Sequence, residues 1–243
     1  PTAVNLSALL GAMGQRVLMI DLDPQGNTTS GLGMEVDDKS IYEVIMGRMK
    51  LTDVMEETEF KNLSIAGSDV RLANAELELV EVEKREYRLK TAVQSVQQDF
   101  DFIFIDCPPS LGLLTINALG AADSVLIPIQ CEYYALEGVA SLMNTISRVK
   151  KTINPHLEIE GVLLTMLDGR TNLGLQVVDE VKKHFKKQVY ATVIPRSVRL
   201  GEAPSHGEPI HVYDKRSAGC VAYVNLAKEV LKRNNIKVKE FKL

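Results

Sequence analysis

The feature that most constrains this chain is a pair of apolar runs that each end in aspartate. RVLMIDLDPQGN (16–27) is almost continuously apolar until Asp21, then turns polar through Asp23, Pro24 and Gly26. FDFIFIDCPPS (100–110) repeats the same grammar and ends at Asp106. A short apolar run without alternation suits a strand covered on both faces, the situation found in parallel sheets. Parallel neighbours need long crossovers, usually helices. The chain supplies them. Residues 2–14 place Val4, Leu6, Leu9, Leu10 and Met13 at helical spacing, and further helical patterns cover 40–47, 112–121, 134–152, 173–187 and 217–233. Residues 70–98 read as a charged helical stretch that buries Leu72, Leu77, Leu79, Val82, Leu89, Val93 and Val96. Strands are expected at 63–67, 124–130, 157–167 and 189–195. The alternation predicts an α/β fold, a doubly wound and mostly parallel sheet flanked by helices, in a single domain over 1–243.

Composition excludes several classes. No apolar run approaches the ~20 residues of a membrane span. Cys107, Cys131 and Cys220 are odd in number, far apart and free of any C-x-x-C, which argues against a disulfide framework or a zinc site. The four histidines show no metal-ligand spacing on a shared helix face. A net charge of −4 does not advertise nucleic-acid binding, so that role would need a local basic patch. KKHFKK (182–187) and DKRSAG (214–219) offer one, although a lysine-rich last turn also suits the helix dipole.

Ligands of doubly wound sheets sit beyond the carboxyl ends of the strands. Asp21, Asp23 and Asp106 would converge there and offer the hard oxygens that Mg²⁺ prefers. An apolar strand ending in aspartate fits the Walker B pattern, while a lone strand-terminal aspartate equally fits a turn cap.

Five blocks in order, DLDPQGNTTSGLG (21–33), FDFIFIDCPPSLGLLTINAL (100–119), IPIQCEYYALEG (127–138), EGVLLTMLDGRTNLG (160–174) and VIPRSVRLGEAPSHGEPI (193–210), resemble the ParA/Soj family of partitioning ATPases, within the deviant-Walker P-loop group that also holds MinD. The resemblance spans nearly the whole chain. It implies ATP and Mg²⁺ as cofactors, a nucleotide-sandwich homodimer, DNA binding without sequence preference, hydrolysis stimulated by a ParB-like centromere-binding partner, and a cytoplasmic, nucleoid-associated location. It implies that Asp23 orients the attacking water, that Asp21 supports the metal or the loop, and that Asp106 holds a metal-bound water. Pro108, Pro109 and Gly112 fall in what resembles switch II; Thr165, Met166, Pro195 and Arg196 fall around the adenine; Lys186 and Arg216 fall near DNA-contacting positions.

Family members carry a strand and the loop KGGVGKTTT ahead of AVNLSA, whereas here AVNLSA follows Pro1 and Thr2. A P-loop presents backbone N–H groups and a lysine to phosphates. The expectation is therefore a chain cut after that loop, with weak ATP binding as it stands and unpaired strand edges where the preceding strand would lie. Two alternatives accompany this reading. One is a MinD-like positioning ATPase, disfavoured by the short, weakly apolar end NNIKVKEFKL. The other is a catalytically dead scaffold that binds DNA or a partner.

Overall fold

A computed structural model describes residues 1–132, 135–238 and 241, with side chains omitted for 135–137. Tyr133 and Tyr134 of the 127–138 block, and residues 239, 240, 242 and 243 of the tail, lie outside the described residues.

The chain order is α1 (Thr2–Ala12), β1 (Val17–Asp21), α2 (Asn27–Gly31), α3 (Ile41–Ile45), α4 (Leu51–Val54), β2 (Met55–Glu57), β3 (Leu63–Ala66), α5 (Leu72–Glu78), α6 (Arg88–Gln94), β4 (Phe102–Asp106), α7 (Leu113–Ala121), β5 (Ser124–Gln130), α8 (Ala135–Thr152), β6 (Glu158–Leu167), α9 (Asn172–Phe185), β7 (Val189–Pro195), α10 (Val198–Glu202), α11 (Ile210–Tyr213) and α12 (Ala218–Arg233). The strands form two sheets, ordered β2-β3-β1-β4 and β5-β6-β7. All pairings are parallel except β2 with β3. The α/β fold with a mostly parallel strand arrangement is as expected.

Strand alternation sorts side chains to two sides. Val17 and Met19 of β1 join Leu163 of β6 and Tyr190 and Ile194 of β7 in a cluster under α1 and α12. Leu18 and Ile20 of β1 face the opposite way, into a cluster built by α3 to α7. Val162 and Leu164 of β6 pack with α8 and α9. One cluster thus reaches both sheets, while each sheet has its own helices on the other face. Residues Val4 to Gly11 of α1 are all buried, so this helix is enclosed rather than merely amphipathic.

Among the described residues no strand pairs with the outer edge of β4 or of β5. Every residue of β4 is only half-buried, although its sequence is as apolar as that of the fully buried β1.

The helical stretch expected over 70–98 is broken. It forms α5, a loop, a 3₁₀ turn at Arg85–Tyr87 and α6. Lys84 stands in the left-handed region at φ 54°, which no helix passes through. Leu77, expected inside, is 77% exposed, because it stands on the face of α5 turned away from Leu72, Ala75 and Leu79, which take the core.

Candidate active site

The turn after β1 is organised by hydrogen bonds to Asp21. Asp21 is fully buried; its Oδ2 accepts from Thr29 N at 2.9 Å and Thr29 Oγ1 at 2.7 Å, and its Oδ1 accepts from Asp23 N at 3.1 Å. Thr29 Oγ1 in turn accepts from Ser68 N at 3.0 Å, which ties the end of β1 to the loop after β3. Burial pushes the Asp21 carboxyl above its ordinary value, against these hydrogen bonds, with Asp106 a smaller contribution in the same direction. Asp21 therefore orders the loop, and its oxygens are spent on that.

Asp106 is the register partner of Asp21 across the β1–β4 pair. Its Oδ2 accepts from Thr28 Oγ1 at 2.6 Å. Consecutive threonines at the start of α2 thus hold the two strand-terminal aspartates, Thr28 on Asp106 and Thr29 on Asp21. Neither threonine was singled out by sequence reasoning, although both stand in the block 21–33. Nothing local marks them, because their partners are eight and 78 residues away. Among the described residues no hydrogen bond reaches Asp106 Oδ1, so one carboxylate oxygen is free for a further partner.

Asp23 is half-exposed at the head of the turn; its Oδ1 accepts from Gln25 N at 3.0 Å and its carbonyl from Gly26 N at 2.9 Å. Gly26 closes the turn at φ 63°, where glycine has no Cβ conflict. Cys107 lies close to both aspartates. Burial, then the charges of Asp106 and Asp23, push its thiol up to about 12, so it stays a neutral, unreactive thiol.

Beyond Cys107, Pro108 is half-buried and Pro109 to Leu111 are exposed. Thr115 Oγ1 donates to Ser110 O at 2.6 Å. Gly112 caps α7 at φ −84°, a value any residue adopts, so backbone freedom does not explain it. Space does: a Cβ there would overlap Oε1 of Glu76, which arrives from α5.

The adenine candidates gather at the carboxyl ends of β6 and β7, where Leu167 is the register partner of Pro195. Thr165 is buried and its Oγ1 donates to Ile129 O at 3.3 Å, while Met166 is 37% exposed at φ 54°. Arg196 N donates to Leu167 O at 3.0 Å, and its guanidinium reaches Glu132 Oε1 at 2.7 Å. Glu132 is a further residue that the pattern did not flag. The two regions touch through backbone: a Cβ on Gly207, at φ 66°, would stand 2.7 Å from Gly33 Cα. Gly33 follows α2, and Gly207 follows the 3₁₀ turn Ala203–His206.

The basic candidates are not brought together. Lys186 is exposed after α9, near the carboxyl end of α12, whose Arg233 donates to Gln188 O at 3.3 Å. Arg216 is exposed just before the amino end of α12. Sixteen residues of helix, about 24 Å at 1.5 Å each, separate the two ends. Of the lysines beside Lys186, Lys183 is paired with Glu180 at 2.8 Å. No described helix is long and apolar enough to cross a membrane, and no cluster of three or more His, Cys, Asp or Glu among the described residues could cage a metal.

A profile of the AAA domain matches residues 1–159. The chain is 58% identical over 231 residues to the sporulation initiation inhibitor protein Soj of Bacillus subtilis (strain 168), covering 94% of this chain and 91% of that protein. It is 50% identical over 238 residues to the chromosome partitioning protein ParA of Myxococcus xanthus (strain DK1622), covering 97% and 84%. Cobyrinic acid a,c-diamide synthase of Mycobacterium smegmatis, solved with bound ADP and magnesium, superposes with a TM-score of 0.84 at 36% identity over 96% of this chain and 89% of that one. A match of this identity over most of both chains, on a shared fold with the aspartate blocks in place, means that this chain belongs to the Soj/ParA family of chromosome partitioning proteins.

Proposed function

We propose that the chain is the body of an ATP-hydrolysing DNA-partitioning protein, whose turnover centres on Asp23 and Asp106. The observation that carries this is the paired threonine clamp. Thr28 and Thr29 fix Asp106 and Asp21 at the ends of adjacent strands, and Asp23 stands on the turn between them. Mg²⁺ fits this donor set. Asp106 offers one hard oxygen that no described residue engages, enough for a metal that keeps most of its waters. When bound, the metal would neutralise phosphate charge during phosphoryl transfer. Asp23, half-exposed on a hydrogen-bonded turn, would accept a hydrogen bond from the attacking water and hold it in line. Asp21 positions Asp23 through the latter's backbone N–H.

Pro195, Met166 and Arg196 would flank the adenine, with Arg196 aimed by Glu132. The 243 residues contain no Gly-Lys-Thr loop, so the phosphate cradle of the family is not among them. ATP-dependent dimerisation, DNA binding through Lys186 and Arg216, stimulation by a ParB-like partner and action on the nucleoid in the cytoplasm complete the proposal. With Lys186 and Arg216 at opposite ends of α12, DNA would run along that helix, and charge reversal at either should weaken binding and reduce its salt dependence.

The test uses a form of the chain carrying KGGVGKTTT ahead of AVNLSA. Asp23→Ala should keep ATP and DNA binding and lose turnover by about 100-fold or more. Normal hydrolysis by this variant removes Asp23 from its role. The 243 residues alone should bind ATP only weakly; micromolar affinity by calorimetry would show that the phosphate loop is dispensable.

A further inference from the structure

The carboxylate of Glu76 performs a task that no part of the reading above uses. It belongs to α5, a short helix held firmly from below. Leu72, Ala75 and Leu79 sit in the core with α3. Arg71, just before α5, pairs with Asp69 at 2.8 Å and Glu43 at 3.1 Å, and Glu78 accepts from Tyr42 Oη at 2.9 Å. From this anchored base the half-buried Glu76 side chain crosses to α7. Its Oε1 accepts from Leu114 N at 3.3 Å.

Helix α7 has no side-chain cap of its own, because its N-cap is Gly112. The first N–H groups of a helix need acceptors, and a negative charge there meets the positive end of the helix dipole. Glu76 supplies both from another element. It also fills the space before Gly112: a Cβ at that position would overlap Oε1 and lie 2.9 Å from both Cδ and Oε2. The turn Pro108–Gly112 is therefore held at two points, by Thr115 on Ser110 O and by Glu76 on the Gly112–Leu114 corner. That turn is the direct continuation of β4 and Asp106.

We propose that Glu76 is a positioning residue for turnover: clamped on α5, it fixes the Pro108–Gly112 turn and through it the setting of Asp106. This rests on the ATPase reading of the site. The glycine at 112 is then a complement to the carboxylate at 76. The two form one fitted pair, 36 residues apart.

The experiment uses the loop-bearing form with four changes: Glu76→Gln, Glu76→Ala, Gly112→Ala, and the last two combined. Hydrolysis by the parent tests the ATPase reading by itself. Against that parent, Glu76→Ala should lower kcat about tenfold with KM for ATP within twofold. Glu76→Gln, which keeps the acceptor, should stay within threefold of the parent. Gly112→Ala should fall well below Glu76→Ala, and adding Glu76→Ala to it should bring kcat back up to the Glu76→Ala level, since the overlap is then gone. Amide exchange without nucleotide supplies a readout apart from turnover. In Glu76→Ala the amide of Leu114 and that of Ile116, which donates to Gly112 O at 3.1 Å, should both exchange faster, and in Glu76→Gln they should not. Faster exchange confined to Leu114, with kcat unchanged, would reduce Glu76 to an ordinary helix cap and overturn the proposal. Additive losses in the double variant would overturn the fitted pair.

Discussion

β1 and β4 are written in almost the same letters and live in different surroundings. Both are five-residue apolar strands ending in aspartate, and they lie side by side in register. β1 has β3 on one side and β4 on the other, with helices over both faces, and all five residues are buried. Among the described residues β4 has a strand partner on one side only, and all five of its residues are half-buried. The difference teaches that an apolar pattern states what a strand needs, whereas burial states what it has. β4 carries Phe102, Ile103, Phe104 and Ile105 for a closed environment, and its free edge leaves part of that apolar surface open. The terminal aspartates diverge likewise. Asp21 is sealed and spent on structure, while among the described residues Asp106 keeps an oxygen free at the rim.

The largest expected effect is in the strands themselves. Ile20→Ala should cost about 4 kcal/mol and Ile105→Ala about 2 kcal/mol or less, because a half-exposed site leaves a smaller cavity and less lost burial. Urea unfolding measures both, and equal losses would break the contrast. Next come the aspartates. Asp21→Ala should cost about 3 kcal/mol by stranding the N–H groups of Thr29 and Asp23 and the Thr29 hydroxyl, whereas Asp106→Ala should cost about 1 kcal/mol. In nucleotide turnover by the loop-bearing form Asp106→Ala should be the inactive, stably folded member of the two. A well-folded Asp21→Ala would remove Asp21 from its structural place.

A smaller effect concerns pH. Burial raises the Asp21 carboxyl in the folded chain, so the folded state holds its proton to higher pH than the unfolded state does. Below 3.8 both are protonated and the group costs nothing; above that value its ionisation costs stability progressively until the folded group has also ionised. Asp21→Asn should remove this downward slope from a plot of urea midpoint against pH, and identical slopes would contradict it. The smallest effect is at the start of the same strands. Arg16 donates to Asp101 through its backbone N–H at 2.8 Å and its guanidinium at 2.9 Å, which lowers the Asp101 carboxyl. That contribution is present above 3.8 and lost as pH falls through the lowered value, and the exposed ion pair should fade in salt. A pH-independent difference between Asp101→Asn and the parent would show that the pair is idle.

Periodicity made β1, β4, β5, β6, β7 and the main helices readable, since each records the face it buries. Periodicity could not show the break at Lys84, where a single residue in the left-handed region ends a pattern that continues on paper. Leu77 was misplaced for a different reason: within α5 it stands on the face turned away from Leu72, Ala75 and Leu79. The aspartates were readable because strand ends are where such sheets hold ligands. Thr28, Thr29, Glu76 and Glu132 were not, because each acquires its meaning from a partner distant in sequence. Gly112 was legible as a glycine but not for its cause, which is a carboxylate from α5 rather than its own backbone.

The contact of Gly33 with Gly207 has a mechanical consequence. Two bare backbones meshed this closely act like gear teeth: the loop that follows the aspartate turn cannot swing toward the segment beyond β7 without driving it. A fluorophore pair spanning 33 and 207 would sit at the hub of that linkage and spoil it, so the motion is best watched from labels placed one step outside, on the exposed positions Ser30 and Ser205.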